Sequence, residues 1–314
     1  MLACAFVMTA IGEGCVAKQD DADRFRQAVP QADEVALKVP GNAPASGTTT
    51  KDLHINGGGP TTTSSSAEYY RFTRDLTGAV DFGTGVILGA VWIIVHTQPT
   101  SVDGTHAVWG PGNGNALDPV VWRFTVTEVG DKEYDYVLDG QRKGTTDFVP
   151  VLTGHGYGEE RAEHKTGWFM ADNDAFRQLD PDHAHDSGTT KVTYDLRQLP
   201  ATIAVELKNT PDKGWANVTV THEAGGAGTV DITAHADFDA SKTTKLEDIR
   251  LVSQWLTNGS GRADAQIENG DLPFQVDASE CWSETFSRVY YKDTVNYEPA
   301  TGDASACTVA AAKL

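Results

Sequence analysis

"VVWRFTVTEVGDKEYDYVLDG", residues 120 to 140, decides the fold class. Trp122, Phe124 and Val126 point one way, while Arg123, Thr125 and Thr127 point the other. After Gly130-Asp131, Tyr134, Tyr136 and Leu138 alternate with Asp135 and Asp139. A period of two gives each strand one apolar and one polar face. A Gly-Asp step between two such runs joins them as a hairpin.

The same period continues downstream. Val192, Tyr194 and Leu196 share a face, as do Ile203, Val205 and Leu207, then Val218 and Val220, then Val230, Ile232 and Ala234. Further runs lie at 147–157, 166–174, 247–257, 262–268 and 274–292. Turn signals stand between or beside them at Asp139-Gly140, Gly225-Gly226, Asn258-Gly259 and Asn269-Gly270. The expectation is a mainly β protein, a large antiparallel barrel or half-barrel of about ten strands.

Upstream the period changes. Residues 67–82 are amphipathic, with Tyr69, Phe72, Leu76 and Val80 along one helical face. From Gly83 to Pro99 there is no Asp, Glu, Lys or Arg, and Leu88, Val91, Trp92, Ile93 and Val95 cover every side of a helix. A helix that is apolar all round is buried in a core or in lipid. Its densest part spans about 14 residues, short of the ~20 that cross a bilayer. A helical segment at 67–98, enclosed by the strands, is therefore expected. The β-branched content leaves a buried strand as the alternative.

The domain reading follows. Residues 1–15 form an export or lipoprotein signal and 16–32 a polar N-terminal segment, with a short helix over 18–31. Residues 33–314 form a single barrel-like domain that begins with a strand at 33–40. Residues 41–66, rich in Gly, Ser, Thr and Pro, are a flexible insert. The signal reading rests on an uncharged run from Met1 to Gly12 followed by Gly14-Cys15 and then Lys18, Asp20 and Asp21. Cys15 would carry the lipid. Glu13, and the lack of a basic stretch before the run, depart from the lipoprotein pattern. Cys281 and Cys307 would pair in an oxidising compartment, with the apolar face of 274–292 packed beneath the bond.

The chain has 44 acidic and 25 basic residues, a net charge of -19, which repels nucleic acid and anionic lipid. With 39% apolar residues it can bury a core.

Three stretches carry a resemblance: "AVWGPGNGNALDPVVWRFTVTEV", "QWLTNGSGRADAQIENGDL" and "ASECWSETFSRVYYKDT". Together they resemble a family of bacterial lipoproteins with no established activity, over residues 67 to 307. The overall shape is similar to the LolA-like half-barrels by fold analogy alone. The resemblance implies compartment and fold, and no catalytic residues.

The densest set of reactive groups is "DPDHAHD", residues 180–186. His183 and His185 have a zinc-ligand spacing, and His155 or His164 would be the nearest third ligand. Pro181 before the pair and Ser187-Gly188 after it favour a solvated turn with no third ligand. No catalytic residue and no cofactor is assigned. If the barrel holds a cavity, Trp92, Trp122, Tyr136, Tyr194, Trp282 and Phe286 would line it. The functional expectation is a non-enzymatic protein of the bacterial cell envelope, periplasmic or lipid-anchored at the outer membrane, or else secreted. It would bind a lipid or other apolar molecule in its barrel. The alternative is a structural or interaction protein whose barrel is filled by its own helix; a metal-dependent enzyme ranks below both. Contact with a membrane would run through the lipid anchor only, and nucleic acid is excluded as a partner.

Overall fold

The computed structural model describes residues 22–41, 66–112, 117–158, 165–182, 187–208, 214–237, 245–295 and 301–314. Cys15, His164, His183 and His185 and most of the expected insert lie outside them.

A single antiparallel sheet of fifteen strands carries the fold, each strand paired to its neighbours in sequence. In chain order the strands are β1 Ser101–Val102, β2 His106–Gly112, β3 Val120–Gly130, β4 Glu133–Arg142, β5 Val149–Tyr157, β6 Thr166–Asp172, β7 Thr189–Asp195 and β8 Ala201–Lys208. They continue as β9 Trp215–His222, β10 Gly228–Ala236, β11 Glu247–Trp255, β12 Gly261–Asn269, β13 Val276–Trp282, β14 Arg288–Asp293 and β15 Thr301–Gly302. The sheet is mainly β as expected and is not closed into a barrel, because β1 pairs only with β2 and β15 only with β14.

The strand count of about ten is corrected to fifteen. The two-residue strands β1 and β15 are too short to show a period. β2, "HAVWGPG", ends in glycine and proline, the residues that ordinarily mark a strand's limit. Residues 274–292 are two strands, not one. The reading of Asp139-Gly140 as a turn is also corrected. β4 runs straight through it, since Gly140 lies beneath Trp122 and Leu179, where a Cβ would collide with both.

One face of the sheet holds the core. Phe124, Phe169, Val192, Val218, Val220, Val230 and Leu251 on it are fully buried. Two long pieces of chain cover this inner face, and a short helix, Asn173–Leu179, lies over Trp122 and Gly140. The first is helix α1, Glu68–Val95, whose 28 residues extend about 42 Å at 1.5 Å per residue. It touches β3 at one side of the sheet and β11, β12 and β13 at the other.

The second is the segment 22–41, a short helical turn followed by extended chain. It lies antiparallel beside α1. Arg26 donates to the carbonyls of Val95 and Thr97, the N–H of Leu37 donates to Asp81, and Tyr70 donates to the carbonyl of Pro40. The reading of 16–32 as a polar segment is corrected for its described part. Ala22, Phe25, Ala28 and Val29 are core residues, and Phe25 packs edge-on against Tyr134 at 5.8 Å. The expected strand at 33–40 alternates in burial, with Val35, Leu37 and Val39 inward, yet pairs with no strand among the described residues. The alternation was real, but it faces a sheet instead of joining one.

A short helix α2, Asn173–Leu179, follows β6. It is capped by Asp172, which accepts the N–H of Ala175, and it packs Phe176 against Trp122. On the outer face, residues 303–314 lie over β12 and β13. There Cys281 bonds Cys307, Ser260 meets Thr308 at 3.0 Å and the N–H of Ala312 donates to Asp264. The disulfide is present, but the surface beneath it is corrected. Val276, Ala278 and Trp282 face inward, whereas Cys281 stands on the opposite side with Ser279 and Tyr290. A one-residue alternation places the bond on the polar face.

Candidate functional site: the exposed end of the long helix

The two halves of α1 are held differently. At its start no local side chain caps the helix. Instead Glu280 of β13, 0% exposed, accepts the N–H of Glu68 at 2.9 Å and of Tyr69 at 2.5 Å. Its carboxylate meets the positive end of the helix dipole, and Arg288 closes the group from β14. Burial pushes the Glu280 carboxyl up, against the lowering pull of Arg288 and the two N–H groups. Tyr70 stacks on Phe286 at 4.4 Å and Tyr69 on Tyr291 at 6.3 Å. Thr73 and Thr77, both fully buried, donate to the carbonyls of Tyr69 and Thr73, so no hydroxyl is stranded.

The middle of α1 meets the N-terminal segment along a polar seam. Asp81 accepts the Leu37 N–H at 2.8 Å. Burial pushes its carboxyl up to about 6, although that N–H and Lys38 lower it. Further along, Glu34 and Lys165 form a buried ion pair at 3.0 Å. His222 faces Lys38, and burial followed by that charge holds its imidazole below the usual range.

The far half of α1 corrects the expectation of an enclosed helix. Leu88, Val91 and Val95 are buried, but Trp92 is 48% and Ile93 65% exposed. Ala90 and His96 are exposed beside them. Only 38% of the helix's most apolar 18-residue window is buried, and that helix is long and apolar enough to cross a membrane. The enclosure fails because α1 lies across an open sheet, so among the described residues one side of it is left uncovered.

Beside this exposed end lies a hollow of 280 Å³. Leu88, Trp92 and Val95 form one wall, and Arg26, Gln31 and Glu34 form part of the other. It is open to solvent and mixes apolar and charged surface. A second hollow of 390 Å³ lies between β5, β6 and α2, with Leu152, Met170 and Asp174 in its lining.

The six aromatics expected to line one cavity are dispersed. Tyr136 and Tyr194 are buried neighbours in the middle of the inner face, and burial raises both phenols. Trp282 and Phe286 pack against Tyr70 at the start of α1. Trp122 packs on α2. Of the six, Trp92 lines one of these two hollows.

Among the described residues no group of three or more His, Cys, Asp or Glu side chains could hold a metal ion. His155, the nearest expected third ligand, pairs on the outer face with Asp135 at 2.7 Å and Glu133 at 3.3 Å.

Residues 22–41 and Glu280 are what the sequence reading missed. The inward alternation of Val35, Leu37 and Val39 was a usable signal for the first. A partner more than 200 residues away left no signal for the second. No family model, no curated protein and no solved structure matches the chain.

Proposed function

We propose that the protein is a non-enzymatic component of the bacterial cell envelope, anchored through Cys15, whose inner sheet surface is filled by its own chain. The sheet would act as a half-barrel wrapped on α1 and the segment 22–41. The observation that carries this reading is the cover of the inner face. Phe124, Phe169, Val192, Val218, Val220 and Leu251 are fully buried, and so are Thr73, Thr77 and Val91 of the helix that covers them. Close packing of this kind leaves little room for a lipid chain in the sheet. The disulfide between Cys281 and Cys307 is consistent with an oxidising compartment.

A second reading, binding of an amphiphilic molecule, is favoured by one observation, the 280 Å³ hollow between Trp92 and Glu34. It lies just under the usual ~300 Å³ lower size for small-molecule sites.

Native mass spectrometry of protein taken from its host separates the two. The expected mass is that of the chain beginning at an acylated Cys15, with no further adduct. A stoichiometric extra lipid would sink the self-filled reading and select the hollow. Retention of Met1 to Gly14 would sink the anchor.

A further inference from the structure

We infer that the exposed apolar end of α1, formed by Ala90, Trp92 and Ile93, rests on the surface of the lipid bilayer to which the chain is tethered. The inference rests on the anchoring reading above and adds to it a defined contact and an orientation.

The tether leaves the fold near the last turn of α1. Arg24 is fixed to Glu128, near the end of β3, and to the carbonyl of Gly104, between β1 and β2. Arg26 is fixed to the carbonyls of Val95 and Thr97, at the last turn of α1. The described chain therefore begins beside the exposed helix end. Cys15 precedes Ala22 by fewer than ten residues. A chain of that length reaches at most about 25 Å, so an acylated Cys15 keeps this part of the molecule near the bilayer.

Trp92 and Ile93 are the two largest apolar side chains of the last turns of α1 that are left in solvent, at 48% and 65% exposure. A bilayer interface takes an indole readily, because the ring is apolar and its N–H is polar. One acyl anchor gives marginal attachment, and a second apolar contact strengthens it.

The whole chain carries -19, so a strongly anionic surface would repel it. Arg24 pairs with Glu128 and Arg26 with Asp23, so these two guanidinium groups are neutralised locally and do not offset that repulsion. A zwitterionic phospholipid surface avoids the repulsion and is the occupant proposed.

The test uses the full protein purified from host membranes. It is reconstituted into phosphatidylcholine vesicles whose acyl chains are brominated near the headgroup, so that they quench an indole at the interface. The parent chain is expected to float with the vesicles and to lose part of its tryptophan fluorescence. The Trp92→Phe variant is expected to float equally but to lose most of that quenching. Flotation with identical quenching in parent and variant overturns the inference and leaves the anchor standing. This is also the outcome if a second copy of the chain covers Trp92. Failure to float, with the leader still attached, overturns the anchor and the inference together.

Discussion

The first and second halves of α1 differ in how their neighbours hold them. Residues 68–81 are held by directed chemistry: a buried carboxylate at the helix start, two aromatic stacks, two back-bonded threonines and the Asp81 seam. Residues 83–95 have one buried apolar side, formed by Leu88, Val91 and Val95, and an open one. Among the described residues, none comes within 4 Å of a Cβ added at Gly83, Gly85 or Gly89. The comparison teaches that one continuous helix can be core at one end and surface at the other. Hydropathy alone runs the opposite way, because the more apolar half is the less enclosed.

The largest effect should come from the cap. Glu280→Ala leaves Arg288 without its buried partner and two helix N–H groups without an acceptor. Removing one member of a buried pair costs about 3–5 kcal/mol, read as a lower midpoint in urea unfolding. Glu280→Gln keeps an acceptor and should lose less. Equal stability of the alanine variant and the parent would break the contrast between the halves.

Next is the outer staple. Replacing Cys281 and Cys307 by serine frees residues 303–314 from the polar face and removes a cross-link across 26 positions. The expected loss is about 3 kcal/mol in the chain-entropy model. Because this bond lies opposite the core, near-ultraviolet circular dichroism from Tyr70 and Trp282 should persist in the folded variant. Collapse of that signal would show that the outer staple also positions α1.

A smaller effect sharpens the seam between the halves. The Asp81 carboxyl is raised from its ordinary 3.8 to about 6 by burial. Between those values the folded state binds a proton that the unfolded state releases. The stabilisation is thus complete below the unfolded value and is lost as pH rises through about 6. Asp81→Asn should flatten this part of the stability profile and raise stability at pH 7 by about 1 kcal/mol, since water partly screens the group. An unchanged slope between pH 4 and pH 7 would remove Asp81 from the account.

The smallest effect concerns the open half. Gly85→Ala and Gly89→Ala place a methyl group in free space and lower the entropy of the unfolded chain. Each should stabilise by about 0.5–1 kcal/mol. Destabilisation in the purified, detergent-free protein would mean that something packs closely on these glycines.

Much of the sheet was legible because its cause is local. Alternation in residues 120–140 and 216–236 follows from the period of a strand with one buried face, and Asn258-Gly259 and Asn269-Gly270 supply positive φ where hairpins turn. The cysteine pairing was legible from composition, but the face it occupies was not, because one position of alternation separates the core from the polar side. Of the aromatics of the expected cavity, Tyr136, Tyr194 and Trp282 are core residues and Trp92 is 48% exposed, and periodicity fixes a face and not a neighbour. Tyr136 and Phe286 therefore ended in separate clusters.

By itself the sequence determined that this chain forms an antiparallel, mainly β structure with one long apolar helix. Strand period, turn residues and helix period all act over a few residues. Only the tertiary structure decided what covers the inner face, what caps the helix and which of its ends stays in solvent. Glu280 reaches Glu68 from more than 200 residues away, and Arg26 reaches Val95 across 69. Such contacts depend on where strands and segments come to lie in space, and no local pattern encodes that.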